Sequence, residues 1–144
     1  YQRMHPRIIE VGSHADGRLR DRQQWHLPAL APHAYVLRMD AALDFGSAQA
    51  LERAVTSQVA AHPEIRCVGL IAHPINWVDA TGVESFTRLR AQLELQGRTF
   101  YVAGLKLPVE RVLHDAGALY PSPHFQCFAT EAAMIEALRQ TTPG

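Results

Sequence analysis

The residues best placed to do chemistry stand together at Asp79, Ala80, Thr81 and Gly82. They follow an apolar run, Cys67 to Ala72, and a loop carrying Ile75 and Trp77. They precede Val83, Phe86, Leu89 and Leu93, which recur at helical spacing and end near Gln96-Gly97. Aspartate at that junction fits a helix N-cap: its carboxylate accepts from the amide of Thr81 or Gly82 and opposes the positive end of the helix dipole. Val78 and Val83 flank it at the spacing of a hydrophobic staple. Gly82 leaves the first turn bare, so another surface can approach the backbone. Two readings are open. One is a well-capped helix and nothing more. The other is a docking or switching site, because a phosphorylated hydroxyl at a helix start adds strong charge that recruits or repels partners.

Other chemistry is harder to find. The eight histidines are His5, His14, His26, His33, His62, His73, His114 and His124. None pairs with another at i, i+4 on a helix, so no protein-built metal site is expected. The sequence has no G-x-S-x-G and no P-loop; Gly12 to Gly17 lacks the spacing and the following helix of a phosphate loop. Asp40 and Asp44 could form a carboxylate pair, but that spacing at a strand end suits a solvated turn. No catalytic residue and no cofactor are therefore expected, and the chain reads as no enzyme. Cys67 and Cys127 lie in strand-like runs and read as buried, reduced thiols rather than a disulfide.

Composition narrows the class. The chain has 144 residues, 47% of them hydrophobic, which suits one domain with a substantial core. Fourteen basic residues balance 14 acidic ones, so there is no electrostatic footprint for nucleic acid and no polybasic membrane face. No apolar run is long enough to span a bilayer, and no signal peptide follows Tyr1-Gln2-Arg3. Starting at Tyr1, the chain reads as an excised fragment.

The elements that must hold the Asp79 turn can be traced in order. Arg7 to Gly12 is a first strand, followed by a turn-rich stretch through Asp16-Gly17 and a segment with Pro28 and Pro32. Tyr35 to Met39 is a strand. Leu51, Val55 and Val59 mark a helix with Ser47 as N-cap, stopped at His62-Pro63. Cys67 to Ala72 is a strand covered on both faces. Thr99 to Ala103 is the next strand. Val109, Val112, Leu113 and Ala116 mark a third helix ending at Gly117. Phe125 to Phe128 is a short strand, and Thr130 caps a last helix bearing Met134, Ile135 and Leu138. Helices alternating with strands imply right-handed crossovers and a mixed, mostly parallel sheet, with the first strand antiparallel at one side. The fold class is α/β, with about four helices. Both the loop at Trp77–Gly82 and the loop at Gly104, Leu105 and Lys106 follow strands, so they lie at one end of the sheet, where open α/β folds bind ligands. Ile75, Trp77, Leu105 and Leu107 either cover the sheet edge or form part of a partner surface.

A buried strand, then Asp79-Ala80-Thr81-Gly82, then an amphipathic helix resembles the STAS domain, shared by anti-sigma factor antagonists and SulP anion transporters. Leu43 to Ala48 resembles that family's strand-to-helix entry, and Ala103 to Pro108 its loop into the third helix. The likeness runs from about residue 34 to 140. His5-Pro6-Arg7-Ile8 and Leu19-Arg20-Asp21 resemble the link between the last membrane helix and the STAS core of SulP proteins. The resemblance implies that residues 1–33 are a strand and connection from a membrane domain and 34–144 the STAS core. It implies a regulatory module on the cytoplasmic side of the inner (plasma) membrane, serving a transporter of sulfate, bicarbonate or dicarboxylates. Its partners would be the transporter's own membrane domain and cytoplasmic regulatory proteins, with homodimers forming through the full-length transporter. In phospho-regulated antagonists the acceptor serine directly follows the aspartate. That position is Ala80 here, so no phosphoacceptor is expected, Thr81 being the nearest hydroxyl. A stand-alone antagonist-like switch and a guanine-nucleotide-binding module are the alternatives.

Overall fold

The computed structural model describes residues 7–140, so His5 and Pro6 of the linking motif lie outside the described residues. The elements in chain order are β1 (Arg7–Ser13), β2 (Leu19–Asp21), β3 (Ala34–Asp40), α1 (Phe45–Ala61), β4 (Cys67–Ile71), α2 (Ala80–Leu95), β5 (Thr99–Ala103), α3 (Leu107–Asp115), β6 (Phe125–Phe128) and α4 (Glu131–Gln140). They build one six-stranded sheet in the order β2-β1-β3-β4-β5-β6. β3 to β6 are parallel, with Val36 beside Gly69 and Gly69 beside Tyr101. β1 runs antiparallel to both of its neighbours, so Arg7 lies beside Asp40, at the end where the parallel strands finish.

The sheet divides two cores. On one face Leu37, Val68, Leu70, Phe100 and Val102 meet Leu51 and Val55 of α1, Phe86 and Leu89 of α2, and Val109 and Leu113 of α3. On the other face Val36, Ile71, Tyr101 and Ala103 meet Met134 and Leu138 of α4, together with Val11 of β1 and Leu30 and Ala31 of the connection. All five residues of β4 are buried, because both faces are covered; a strand so placed has no polar alternation. Met134 lies so close over Gly69 that a Cβ there would stand 3.2 Å from its Cε. Cys67 and Cys127 are free thiols on opposite faces, the second only half-buried.

Three local expectations need correction. Asp44, not Ser47, caps α1: its carboxylate accepts from the Ser47 amide at 3.0 Å. The helix begins at Phe45, so Ser47 already stands in its first turn. Val112 and Ala116 do not face the core; Val112 is 42% exposed, because α3 is short and only Val109 and Leu113 point inward. The stretch after Asp16-Gly17 is expected as a surface connection, yet Leu19–Asp21 forms the strand β2. Its three half-buried residues have no apolar pattern of their own and are strand only because β1 offers a free edge to Leu19–Asp21.

Candidate functional site

The turn into α2 is joined to the turn into α1. Leu43 and Val78 form a parallel bridge. The Leu43 amide donates to the carbonyl of Trp77 at 3.0 Å, and the Asp79 amide donates to the carbonyl of Leu43 at 3.3 Å. Asp79 is the N-cap as expected, and its carboxylate accepts from the Gly82 amide at 2.7 Å. The two turns repeat one device: an apolar bridging residue, then an aspartate that caps the amide three residues on. That repetition, Leu43-Asp44-x-x-Ser47 against Val78-Asp79-x-x-Gly82, is the sequence signal that identifies Asp44 as a cap.

Gly82 serves a different purpose from the one its spacing suggests. It is buried, and a Cβ there would collide with the Leu43 carbonyl oxygen and stand 2.8 Å from Val78 Cγ2. The surface that approaches this bare turn is the chain's own β3–α1 loop. Outside that contact the helix start is open: Ala80 is exposed, Thr81 half-buried and Trp77 51% exposed. Ile75 is buried and covers the sheet end.

The second loop is held against the first. Gly104 has φ +76 and its amide donates to the Phe128 carbonyl at 3.0 Å. This left-handed turn, which glycine adopts without strain, brings the loop alongside His73. Lys106 Nζ donates to Asn76 Oδ1 at 2.5 Å, linking the loop after β5 to the loop after β4. Leu105 packs on the main core, whereas Leu107 is 69% exposed. Seven of the expected site residues thus line one end of the sheet, with Gly82 beneath them. Asn76 and Leu43, which tie the loops together, carry no local signal of that role.

Asp79 is engaged as a cap and Lys106 is engaged with Asn76. Among the described residues no three His, Cys, Asp or Glu side chains cluster as a metal site, and no helix is long and apolar enough to cross a membrane. Asp40 and Asp44 do not act as a pair: Asp40 meets Arg38 at 3.2 Å and Asp44 caps α1. Burial pushes Tyr35 and the Cys67 thiol each up to about 12. The Arg88 guanidinium, followed by the Ser85 hydroxyl, holds Glu52 below its ordinary range against the opposing effect of burial.

Comparison with known proteins places this geometry. The STAS domain family profile matches residues 29–134. No curated protein sequence matches the chain. Among solved structures, the murine Slc26a9 anion transporter in its inward-facing state aligns with a TM-score of 0.74 at 11% identity, covering 92% of this chain and 22% of that one. A putative anti-sigma factor antagonist from Thermotoga maritima aligns at 0.63 and 14% identity, over 74% of this chain and 87% of its own. The phosphorylated Bacillus cell fate determinant SpoIIAA aligns at 0.58 and 17% identity, over 78% and 96%. The chain therefore spans about a fifth of the transporter but matches most of each antagonist. With the family profile covering most of its length, and a capped helix start at the end of a buried parallel strand, the chain belongs to the STAS domain family.

Proposed function

We propose that the chain is the cytoplasmic regulatory module of a SulP-type anion transporter, and that it works by contact rather than catalysis. One observation carries this reading. The ribbon of β1 and β2 is built into the sheet, and the likeness to Slc26a9 covers 92% of the chain, against 74% and 78% for the antagonists. On this reading residues 1–33 lead from a membrane domain and residues 34–144 form the core. The contact surface is the loop end of the sheet: Trp77, Ala80 and Thr81, with Lys106 and Leu107 beside them. Trp77 is the anchor, since large exposed aromatics dominate contact energies. Its partners are the transporter's own membrane domain and cytoplasmic regulatory proteins, and dimers form through the full-length transporter.

Two alternatives are weaker. A phospho-switched antagonist needs an acceptor after the aspartate, and Ala80 has no hydroxyl. A nucleotide phosphate at the start of α2 would meet the Asp79 carboxylate, which already occupies the Gly82 amide. The test is made on the complete reading frame that encodes this chain, reconstituted in liposomes. Uptake of labelled sulfate, bicarbonate or a dicarboxylate is expected, and Trp77→Ala is expected to reduce it severalfold while the purified chain still unfolds at its normal temperature. A reading frame without membrane helices, together with capture of an anti-sigma-type kinase by the chain, would replace this reading with the switch.

A further inference from the structure

At the opposite end of the sheet from the Trp77 and Lys106 loops, where β3 and β4 begin, polar side chains line a cavity of about 280 Å³. It lies between the end of α1, the strand β1 and the connection that follows β2. Glu10, Arg22, Tyr35, Gln58, Glu64 and Ile65 are in its lining. Backbone bonds fix its wall. The Arg22 amide donates to the Glu10 carbonyl at 2.8 Å. His33, also in the lining, stands in the left-handed region at φ +60. Its carbonyl accepts from the amides of Arg66 at 2.8 Å and Cys67 at 3.2 Å, which ties the start of β3 to the start of β4.

Several acceptors in this lining have no donor. Tyr35 is only 6% exposed, yet its hydroxyl makes no hydrogen bond among the described residues. Buried polar groups are nearly always satisfied, so this one is left for something inside the cavity. The Glu10 side chain is 9% exposed. Its Oε2 accepts from Arg22 Nη1 at 2.7 Å, whereas its Oε1 accepts nothing among the described residues. The side-chain carbonyl of Gln58 is likewise without a donor there. Arg22 is already engaged, giving Nη1 to Glu10 and Nε to the Leu27 carbonyl at 3.0 Å. With histidine counted as neutral, Glu10 and Glu64 outweigh Arg22, so the lining is formally negative. An anion would therefore meet a buried carboxylate and an arginine already in use. An ammonium group offers N–H donors and no acceptor, which is what this lining lacks.

We propose that this cavity binds a small primary ammonium ion with a short aliphatic body, its nitrogen donating to Glu10 Oε1, the Tyr35 hydroxyl and the Gln58 side-chain carbonyl. Buried Ile65 offers the body an apolar contact, and the exposed Glu64 adds negative charge at the mouth. A quaternary ammonium has the charge but no N–H to give, and an alcohol has a donor but no charge, so neither replaces the primary amine. The site lies apart from the loops of the proposed contact surface and does not depend on which protein carries the domain.

The test is titration of the chain, carrying isotope-labelled tyrosine, with butylammonium chloride at neutral pH and constant ionic strength. The Tyr35 ring signals are identified by NMR through their loss in Tyr35→Phe. Butylammonium is expected to shift them saturably with a Kd of about 1 mM. Tetramethylammonium and butanol are expected to leave them in place. Glu10→Gln is expected to weaken butylammonium at least about tenfold. Gln58→Leu, which keeps the Glu10–Arg22 pair, is expected to weaken it about threefold, and it decides the matter if Glu10→Gln fails to fold. No saturable shift by about 10 mM butylammonium, ten times that Kd, would overturn the site. An equal shift with tetramethylammonium or butanol, or undiminished binding to Gln58→Leu, would overturn the ligand class.

Discussion

A single methyl group at position 82 tests how tightly the turn into α2 is joined to its neighbour. The Cβ of Gly82→Ala would meet a backbone carbonyl, that of Leu43, which cannot rotate aside as a flexible side chain can. We expect this variant to lose about 2 kcal/mol or more in urea denaturation, as overpacking against rigid neighbours does. Asp79→Ala, which removes only a cap, is expected to lose about 1 kcal/mol. A smaller loss for Gly82→Ala than for Asp79→Ala would mean that the Leu43 contact yields easily. The cap at Asp79 was legible in the sequence because a cap involves residues three apart. The purpose of Gly82 was not, because its partner Leu43 belongs to another loop, far back in the chain. Arg90 was illegible for the same reason: a charged residue within a helix reads as solvent-facing until the Tyr120 and Phe125 rings are known to enclose it.

Between elements, α1 and α2 are clamped by Glu52, which accepts from Arg88 Nε at 2.8 Å and Arg88 Nη2 at 2.7 Å and also from the Ser85 hydroxyl. These bonds favour the carboxylate, so the pKa of Glu52 lies lower in the folded chain than in the unfolded one. Their stabilisation is therefore full above the ordinary glutamate pKa of 4.5 and is lost as pH falls through the folded value. Arg88→Gln is expected to flatten the acid limb of a stability–pH curve and to leave its alkaline limb unchanged. On the other face, α4 rests on Gly69 through Met134. Gly69→Val is expected to loosen α4, giving faster amide hydrogen exchange over Glu131–Gln140 while α1 and α2 stay protected. Equal acceleration in all helices would show that α4 is not a separable layer. Helices and parallel strands were legible because their apolar periods arise from the cores they face. β2 was not, because the edge of β1 makes it a strand and its own side chains do not.

Over the whole molecule, residues 7–33 are part of the packed body. Val11, Leu30 and Ala31 are buried with the residues beneath α4, and β1 covers the outer edge of β3. Removing residues 1–33 exposes that edge and part of the second core. The shortened chain is expected to self-associate on size exclusion, as bare sheet edges do, whereas the 144-residue chain elutes uniformly. A monomeric, equally stable remainder would show that the ribbon is dispensable. The antiparallel course of β1 has one more consequence. Because Arg7 lies beside Asp40, β1 starts at the same end of the sheet as the loops that carry Trp77 and Lys106, and a domain tethered ahead of it would be anchored at that end. A domain on such a leash is held at an effective concentration in the millimolar range when the linker is short and flexible. It can occupy those loops without appreciable affinity of its own, and a competitor arriving from solution must first displace this permanently tethered neighbour.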